Sequence, residues 1–460
     1  MNFSNIISAD NHNLAIYYND EVWRYSDLHK LVLMMSSALP KTKKVLILVL
    51  GSNNIETILA ILLALLNKQT IMLIDKITED KYLEEITNLY KPDFIWSSCQ
   101  ASPSNFSYKD YSLKKLNQKF SFVHPLCSLL LSTSGTTGTP KFVRLSSQNL
   151  EKNANSILKY LKINKDDKVI TLLPFYYSYG LSILSTHLLA SAKLYVSSSS
   201  LLTKSFWNDF NRIKPTSFSG IPYHYQLLKK LDYQNRDWSS VRFITQAGGS
   251  MDISLVEEFA NFSFKKNMKF FMMYGQTEAS PRMSFLNPKK VTRKFNSIGK
   301  PISGGRFKII TDQYKRQKNP IGELVYYGEN VMLGYSYNRE DLRKGDELKG
   351  ELYTGDIATM DDENDYILLG RKDRIIKLLG LRINPIDIEK EFKKMGYDVI
   401  VGSKNNKLLI AGSDETDKEI IQKVLKESFH LPKNIIKFIV FKKKPINSYG
   451  KLDYQKIFNL

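Results

Sequence analysis

Six of the ten residues in 132–141 are serine or threonine, two are glycine, and a lysine closes the run. Gly135 and Gly138 leave room for backbone N–H groups to turn toward a phosphate. The hydroxyls of Thr133, Ser134, Thr136 and Thr137 add donors without bulk, and Lys141 supplies a compact positive charge. The spacing is not that of a Walker A loop, because Gly135 and Gly138 lie three apart and Pro140 precedes the lysine. A second run, Met273-Tyr274-Gly275-Gln276-Thr277-Glu278, also carries nucleotide chemistry. Tyr274 offers a flat face to a purine, Thr277 a hydroxyl to an α-phosphate, and Glu278 a hard oxygen ligand for Mg2+.

Both runs follow short apolar stretches that read as strands. VLILVL at 45–50 predicts a continuous apolar strand, 54–66 a buried helix after it, and 70–74 the next strand. Such alternation argues for parallel sheets covered by helices. It also places reactive groups in loops at the carboxyl ends of strands. Past residue 300 the segments 321–327 and 366–369 are shorter, β-rich and punctuated by glycine. The stretch 374–460 reads as helix 386–395, strand 407–411, helix 417–428 and strand 435–441. The predicted fold class is α/β. A large N-terminal domain, 1–372, holds parallel-rich sheets flanked by helices plus a β-barrel-like subdomain, and a small α+β C-terminal domain covers 373–460.

Composition narrows the function classes. With 43% hydrophobic and 24% charged residues, the 460-residue chain is not intrinsically disordered, and no collagen-like or heptad period supports a fibre. Cys99 and Cys127 are too few for a disulfide framework or a Cys-rich zinc site, and six scattered histidines argue against a His-based metal centre. A net charge of +20 admits nucleic acid, an anionic membrane or an acidic partner, as well as plain drift toward lysine. No helix-turn-helix, zinc-finger or RNP signature is found, so nucleic acid is not an expected partner. The N-terminus lacks a basic region followed by an apolar core. The most apolar helical run, 58–66, falls far short of the roughly 20 residues that span a bilayer. The expectation is a cytoplasmic chain without a transmembrane segment.

Taken together and in order, the motifs resemble those of the adenylate-forming superfamily: acyl-CoA synthetases, nonribosomal-peptide adenylation domains and beetle luciferases. The 132–141 run resembles its phosphate loop. Residues 173–180, LPFYYSYG, resemble its Pro-x-x-aromatic-x-x-Gly segment, which implies that Tyr177 gates an acyl pocket and that Gly180 belongs to it. Ala247-Gly248-Gly249-Ser250 resembles the Gly-Gly loop beside adenine and the acyl group. Residues 274–278 resemble the aromatic-Gly-x-Thr-Glu motif. Thr354-Gly355-Asp356 resembles the motif whose carboxylate accepts from both ribose hydroxyls. Residues 370–377, with Gly380, Arg382 and Ile383, resemble the hinge motif, where Arg371 contacts ribose or phosphate and Asp373 is the pivot. Gly450-Lys451 resembles the motif of the catalytic lysine.

The resemblance implies a two-step ligase. A carboxylate attacks the α-phosphorus of ATP and expels pyrophosphate, and a thiol then displaces AMP from the acyl-adenylate. Thr277, Glu278 and Lys451 are the implied catalytic residues, with Mg2+ on Glu278. Tyr177, Tyr223, Ala247 and Gly180 are the implied acid contacts. No acidic residue lies between Leu173 and Ser185 to pair with a substrate ammonium, which favours an acyl acid (fatty acids included) or aryl acid over an amino acid. The acceptor is open between coenzyme A and the phosphopantetheine of an acyl carrier protein. The short chain and a tail with 18 basic against 10 acidic residues in 374–460 tilt the expectation toward the carrier protein. A catalytically dead scaffold is the remaining alternative, against which Glu278, Asp356 and Lys451 all stand.

Overall fold

A computed structural model of the chain describes residues 1–98, 104–117, 121–132, 140–311, 319–372, 376–378, 381–383, 385–404, 407–413, 417–429, 431–441, 444–445, 452 and 454–458. Packing divides it into two compact units, 1–307 with 325–352, and 308–324 with 353–460. The cuts fall at 307–308, 324–325 and 352–353, where the second unit resumes. Strands Glu351–Met360 and Tyr366–Arg371 pair antiparallel with each other, which draws the second of them into that unit.

The first unit carries two sheets. One runs in the order Gly334–Ser336, Phe142–Leu145, Leu129–Ser132, Thr70–Asp75, Leu46–Gly51, Phe94–Ser97, Tyr111–Lys115, Phe106–Tyr108. Its central four, from Leu129–Ser132 to Phe94–Ser97, are mutually parallel. The other has a parallel core in the order Lys269–Gly275, Phe243–Gln246, Ser217–Gly220, Lys168–Thr171, Lys193–Val196, Leu14–Tyr18. Strand Arg282–Phe285 adds antiparallel beside Lys269–Gly275.

Two helices explain why these strands read as continuous apolar runs. Every residue of Ile55–Leu65 and of Ser178–Leu189 is buried, and both belong to one large core cluster with the strands. Helix Ile55–Leu65 starts where Asn54 accepts from Thr57 N, and apart from Glu56 and Thr57 in its first turn it is wholly apolar, as a helix between layers requires. The strand expected at 45–50 is Leu46–Gly51, and that at 70–74 is Thr70–Asp75.

The second unit is the α+β body expected near the end of the sequence. Ile400–Lys404, Lys407–Gly412 and Ile436–Val440 form its sheet, and helices Pro385–Lys394 and Lys418–Phe429 bury Ile388, Phe392, Ile421 and Leu425 in its core. Closure of a barrel is not seen among the described residues. The strands of 305–371 take the open order Gly305–Ile310, Gly322–Gly328, Glu351–Met360, Tyr366–Arg371.

Candidate active site

Three of the motif-bearing loops leave carboxyl ends of strands. Thr277 and Glu278 follow strand Lys269–Gly275, Ala247 to Gly249 follow Phe243–Gln246, and the phosphate run follows Leu129–Ser132. Parallel strands end there with their backbone groups and helix N-termini facing the same opening.

Glu278 sits in the single 3-10 turn Thr277–Ala279. Its carbonyl accepts from Met332 N at 2.8 Å, which fixes the turn against the segment that leads into strand Gly334–Ser336. Its carboxylate Oε1 accepts from the Tyr335 hydroxyl at 2.9 Å. The Tyr335 ring in turn lies under the Lys141 ammonium, 3.4 Å from Nζ to the ring centroid. Strand pairing explains the coincidence. Gly334–Ser336 runs antiparallel to Phe142–Leu145 with Ser336 opposite Phe142, so Tyr335 lies near the strand start that follows Lys141. A tyrosine therefore ties the lysine that ends the phosphate run to the expected metal carboxylate. Thr277 donates to the Ser178 hydroxyl at 3.1 Å, joining this turn to the first residue of helix Ser178–Leu189.

Glycine is required at two of these turns. A Cβ on Gly275 would overlap the Pro281 carbonyl, and one on Gly180 would overlap the Pro174 carbonyl. Gly180 thus serves close packing of the helix start on the chain before it. The segment 173–177 is held by Asn53, whose amide donates to Leu173 O at 3.2 Å and accepts from Phe175 N at 3.1 Å. Gly248 has φ of +86°, and its position faces the Tyr177 hydroxyl, at 2.8 Å from where a Cβ would stand, and Ile221. Gln246 donates to Gly249 O at 2.8 Å and closes that turn. Tyr177, Gly248, Ile221 and buried Ala247 are therefore neighbours.

Tyr223 lies on the helix that follows Ile221. It is exposed on helix Pro222–Lys230 and lines a cleft of about 520 Å³ with Asn53, Asp75, Tyr176 and His224. Burial pushes His224 down to about 4, so it is neutral there at pH 7. Tyr274 packs at a tilt beside Phe307, centroids 6.3 Å apart.

In the second unit Arg371 and Asp356 come together, Nη1 to Oδ1 at 3.3 Å, across the pair Asp356–Arg371 of the hairpin. Arg371 also donates to Thr354 O at 3.2 Å. Gly355, at φ of +71°, lets the chain turn between Thr354 and Asp356 with the guanidinium close by. Thr133, Ser134, Gly135, Thr136, Thr137, Gly138, Asp373 and Lys451 lie outside the described residues.

Two residues escaped the sequence reading: Tyr335 and Asn53. Each acts through a partner more than 50 residues away, and no local pattern marks it.

Glu278 is a single carboxylate, and among the described residues no group of three His, Cys, Asp or Glu could hold a metal ion. One carboxylate is enough for Mg2+, which takes one or two and draws its other oxygens from phosphates and water. No helix among the described residues is long and apolar enough to cross a membrane.

The 2-succinylbenzoate–CoA ligase of Bacillus subtilis is 30% identical over 260 residues, 56% of this chain and 52% of that one. The oxalate–CoA ligase of Arabidopsis thaliana is 29% identical over 271 residues, 57% of this chain and 51% of that one. The chain thus spans about half the length of these curated relatives. Among solved structures, O-succinylbenzoate coenzyme A synthetase (MenE) from Bacillus subtilis in complex with AMP superposes with a TM-score of 0.78 at 22% identity, covering 98% of this chain and 96% of that one. At that identity the likeness shows the fold, multi-domain α/β with mixed sheets. The family model for AMP-binding enzymes matches residues 7–336, and the chain belongs to that family, within the adenylate-forming superfamily.

Proposed function

We propose that the chain is an AMP-forming acid–thiol ligase. It couples a carboxylic acid to ATP, releasing pyrophosphate, and passes the acyl group from the adenylate to a thiol. The observation that carries this reading is the Lys141–Tyr335–Glu278 linkage, which holds a cation and a carboxylate on one tyrosine of the first unit. Mg2+ on Glu278 supplies charge neutralisation at the leaving pyrophosphate. Thr277 and the 132–141 run bind phosphate oxygens, Asp356 accepts from the ribose hydroxyls, and Lys451 offsets charge between the carboxylate and the α-phosphate. Tyr177, Ala247 and Gly248 contact the acid.

Coenzyme A is the proposed acceptor. The relatives are named as CoA ligases, which supports it over the carrier-protein arm favoured by charge and length alone. Residues 1–372 and 373–460 are proposed as the adenylating and mobile domains, with Asp373 as the pivot.

The test is ATP–pyrophosphate exchange with a panel of acids, followed by thioester detection with free coenzyme A and with carrier proteins side by side. Lys451→Ala is expected to lower exchange by about 10²–10³, and Asp373→Pro to keep exchange while losing thioester. Exchange undiminished in the first variant would remove Lys451 from the reaction. Thioester on a carrier protein and not on coenzyme A would restore the carrier reading.

A further inference from the structure

Arg282 is only 2% exposed. It opens strand Arg282–Phe285, and Asn153 and Asn330 fix its backbone, both donating to its carbonyl. The guanidinium lies 5.0 Å from the Tyr179 ring centroid and beside the Tyr160 hydroxyl. Among the described residues its Nε–H has no hydrogen-bond partner and no carboxylate pairs with it. A ring face softens a buried cation but does not neutralise it.

The same residue lines a cavity of about 20 Å³ with Tyr179, Ser219, Thr245 and His187. That is room for one water-sized group. His187 Nδ1 stands 2.8 Å from Ile183 O. As a donor there it leaves Nε2, also unpartnered, as an acceptor. A water that accepts from Arg282 and donates to His187 would satisfy both atoms and still leave the charge uncompensated. An anionic oxygen supplies what water lacks. The hydroxyls also point that way: Tyr179 pairs with Thr245 at 2.7 Å and Thr245 donates to Ser219 at 2.9 Å, so the Ser219 proton is left for a ligand. Tyr179 and Thr245, which line this cavity, are each two positions along the chain from the proposed acid contacts Tyr177 and Ala247.

We infer that Arg282 is a specificity residue for acids that carry a second anionic group, taking one oxygen of a distal carboxylate or sulfonate beside Ser219. The inference rests on the acid-activating reading above.

Pairs of acids matched in length test it: succinate against butyrate, and glutarate against valerate, in ATP–pyrophosphate exchange. The diacid is expected to have kcat/KM at least about tenfold higher. In Arg282→Gln the ratio falls to about one through KM, and Arg282→Lys recovers part of it. Equal or reversed preference in the unaltered protein, or a preference that survives Arg282→Gln, overturns the inference. The comparison of acids on the unaltered protein needs no variant, so misfolding of Arg282→Gln does not spare it. Calorimetric titration with succinate separates the two readings. If no acid supports exchange, the ligase reading fails. Heat from succinate that Arg282→Gln lacks then upholds the anion site, and no heat removes it.

Discussion

The Tyr335 hydroxyl donates to Glu278 Oε1 at 2.9 Å while the opposite side of the same side chain lies beneath Lys141. One ring thus orients both charged groups from the interior of strand Gly334–Ser336. A hydrogen bond to a charged group is worth about 1.5–3 kcal/mol. Tyr335→Phe keeps the ring under Lys141 and removes only that bond. It is expected to raise KM for magnesium nucleotide by about tenfold with a small change in melting temperature. Tyr335→Ala loses the cation–π contact as well and is expected to go further. An unchanged KM in Tyr335→Phe would separate Tyr335 from the nucleotide.

Glu278→Gln keeps an oxygen that can accept from Tyr335 and removes the charge. If Glu278 holds the metal, exchange falls by about 10²–10³ and added Mg2+ restores part of it, while circular dichroism is unaltered. Full activity at ordinary Mg2+ would move the metal ligand elsewhere.

Gly180 and Gly275 test packing rather than chemistry. Each faces a backbone carbonyl that cannot swing away, Pro174 O and Pro281 O. Adding a methyl to either is expected to cost about 1–3 kcal/mol through forced backbone shifts. Thermal denaturation of Gly180→Ala and Gly275→Ala reads this directly. A melting temperature equal to that of the unaltered protein would mean the helix start or the turn relaxes freely.

Much of this was legible before any coordinates. Strands Leu46–Gly51 and Thr70–Asp75 and helix Ile55–Leu65 announce themselves because burial on both faces forces continuous apolar runs. Asp356 and Arg371 meet because a hairpin brings them opposite each other within 15 residues. Tyr335 was not legible, since its role depends on strand Gly334–Ser336 pairing with Phe142–Leu145 across almost two hundred residues, and one tyrosine among 26 carries no mark of that. Arg282 was missed for a related reason. Arginines are mostly exposed, and its burial arises only where helices Ser147–Leu161 and Ser178–Leu189 close over the sheet. Tyr223, exposed on helix Pro222–Lys230, lines the larger cleft, which no periodicity in its neighbourhood announces.

His187 makes stability depend on acidity. It is fully enclosed on helix Ser178–Leu189, and burial pushes it from the ordinary value of 6.5 down to about 4, against the opposing Ile183 carbonyl. Asp167 also favours its charged form and Arg242 opposes it, while Arg282 shares its cavity. A histidine depressed in the folded state binds its proton more readily when unfolded. It therefore contributes stability that is fully present above pH 6.5 and is lost as pH falls toward 4. Below that the imidazolium is buried in the folded chain as well, and the contribution is gone. At about 1.4 kcal/mol for each pH unit of the interval, the loss is of order 3 kcal/mol, to which half-buried His224, held low by its own burial, adds a smaller share. His187→Gln removes the titrating group while keeping a polar side chain of similar reach. The expected outcome is a shallower decline of the denaturant midpoint between pH 6.5 and 4 than in the unaltered protein, with little difference in slope above pH 7. Parallel profiles for the two proteins across that interval would show that some other group controls acid unfolding.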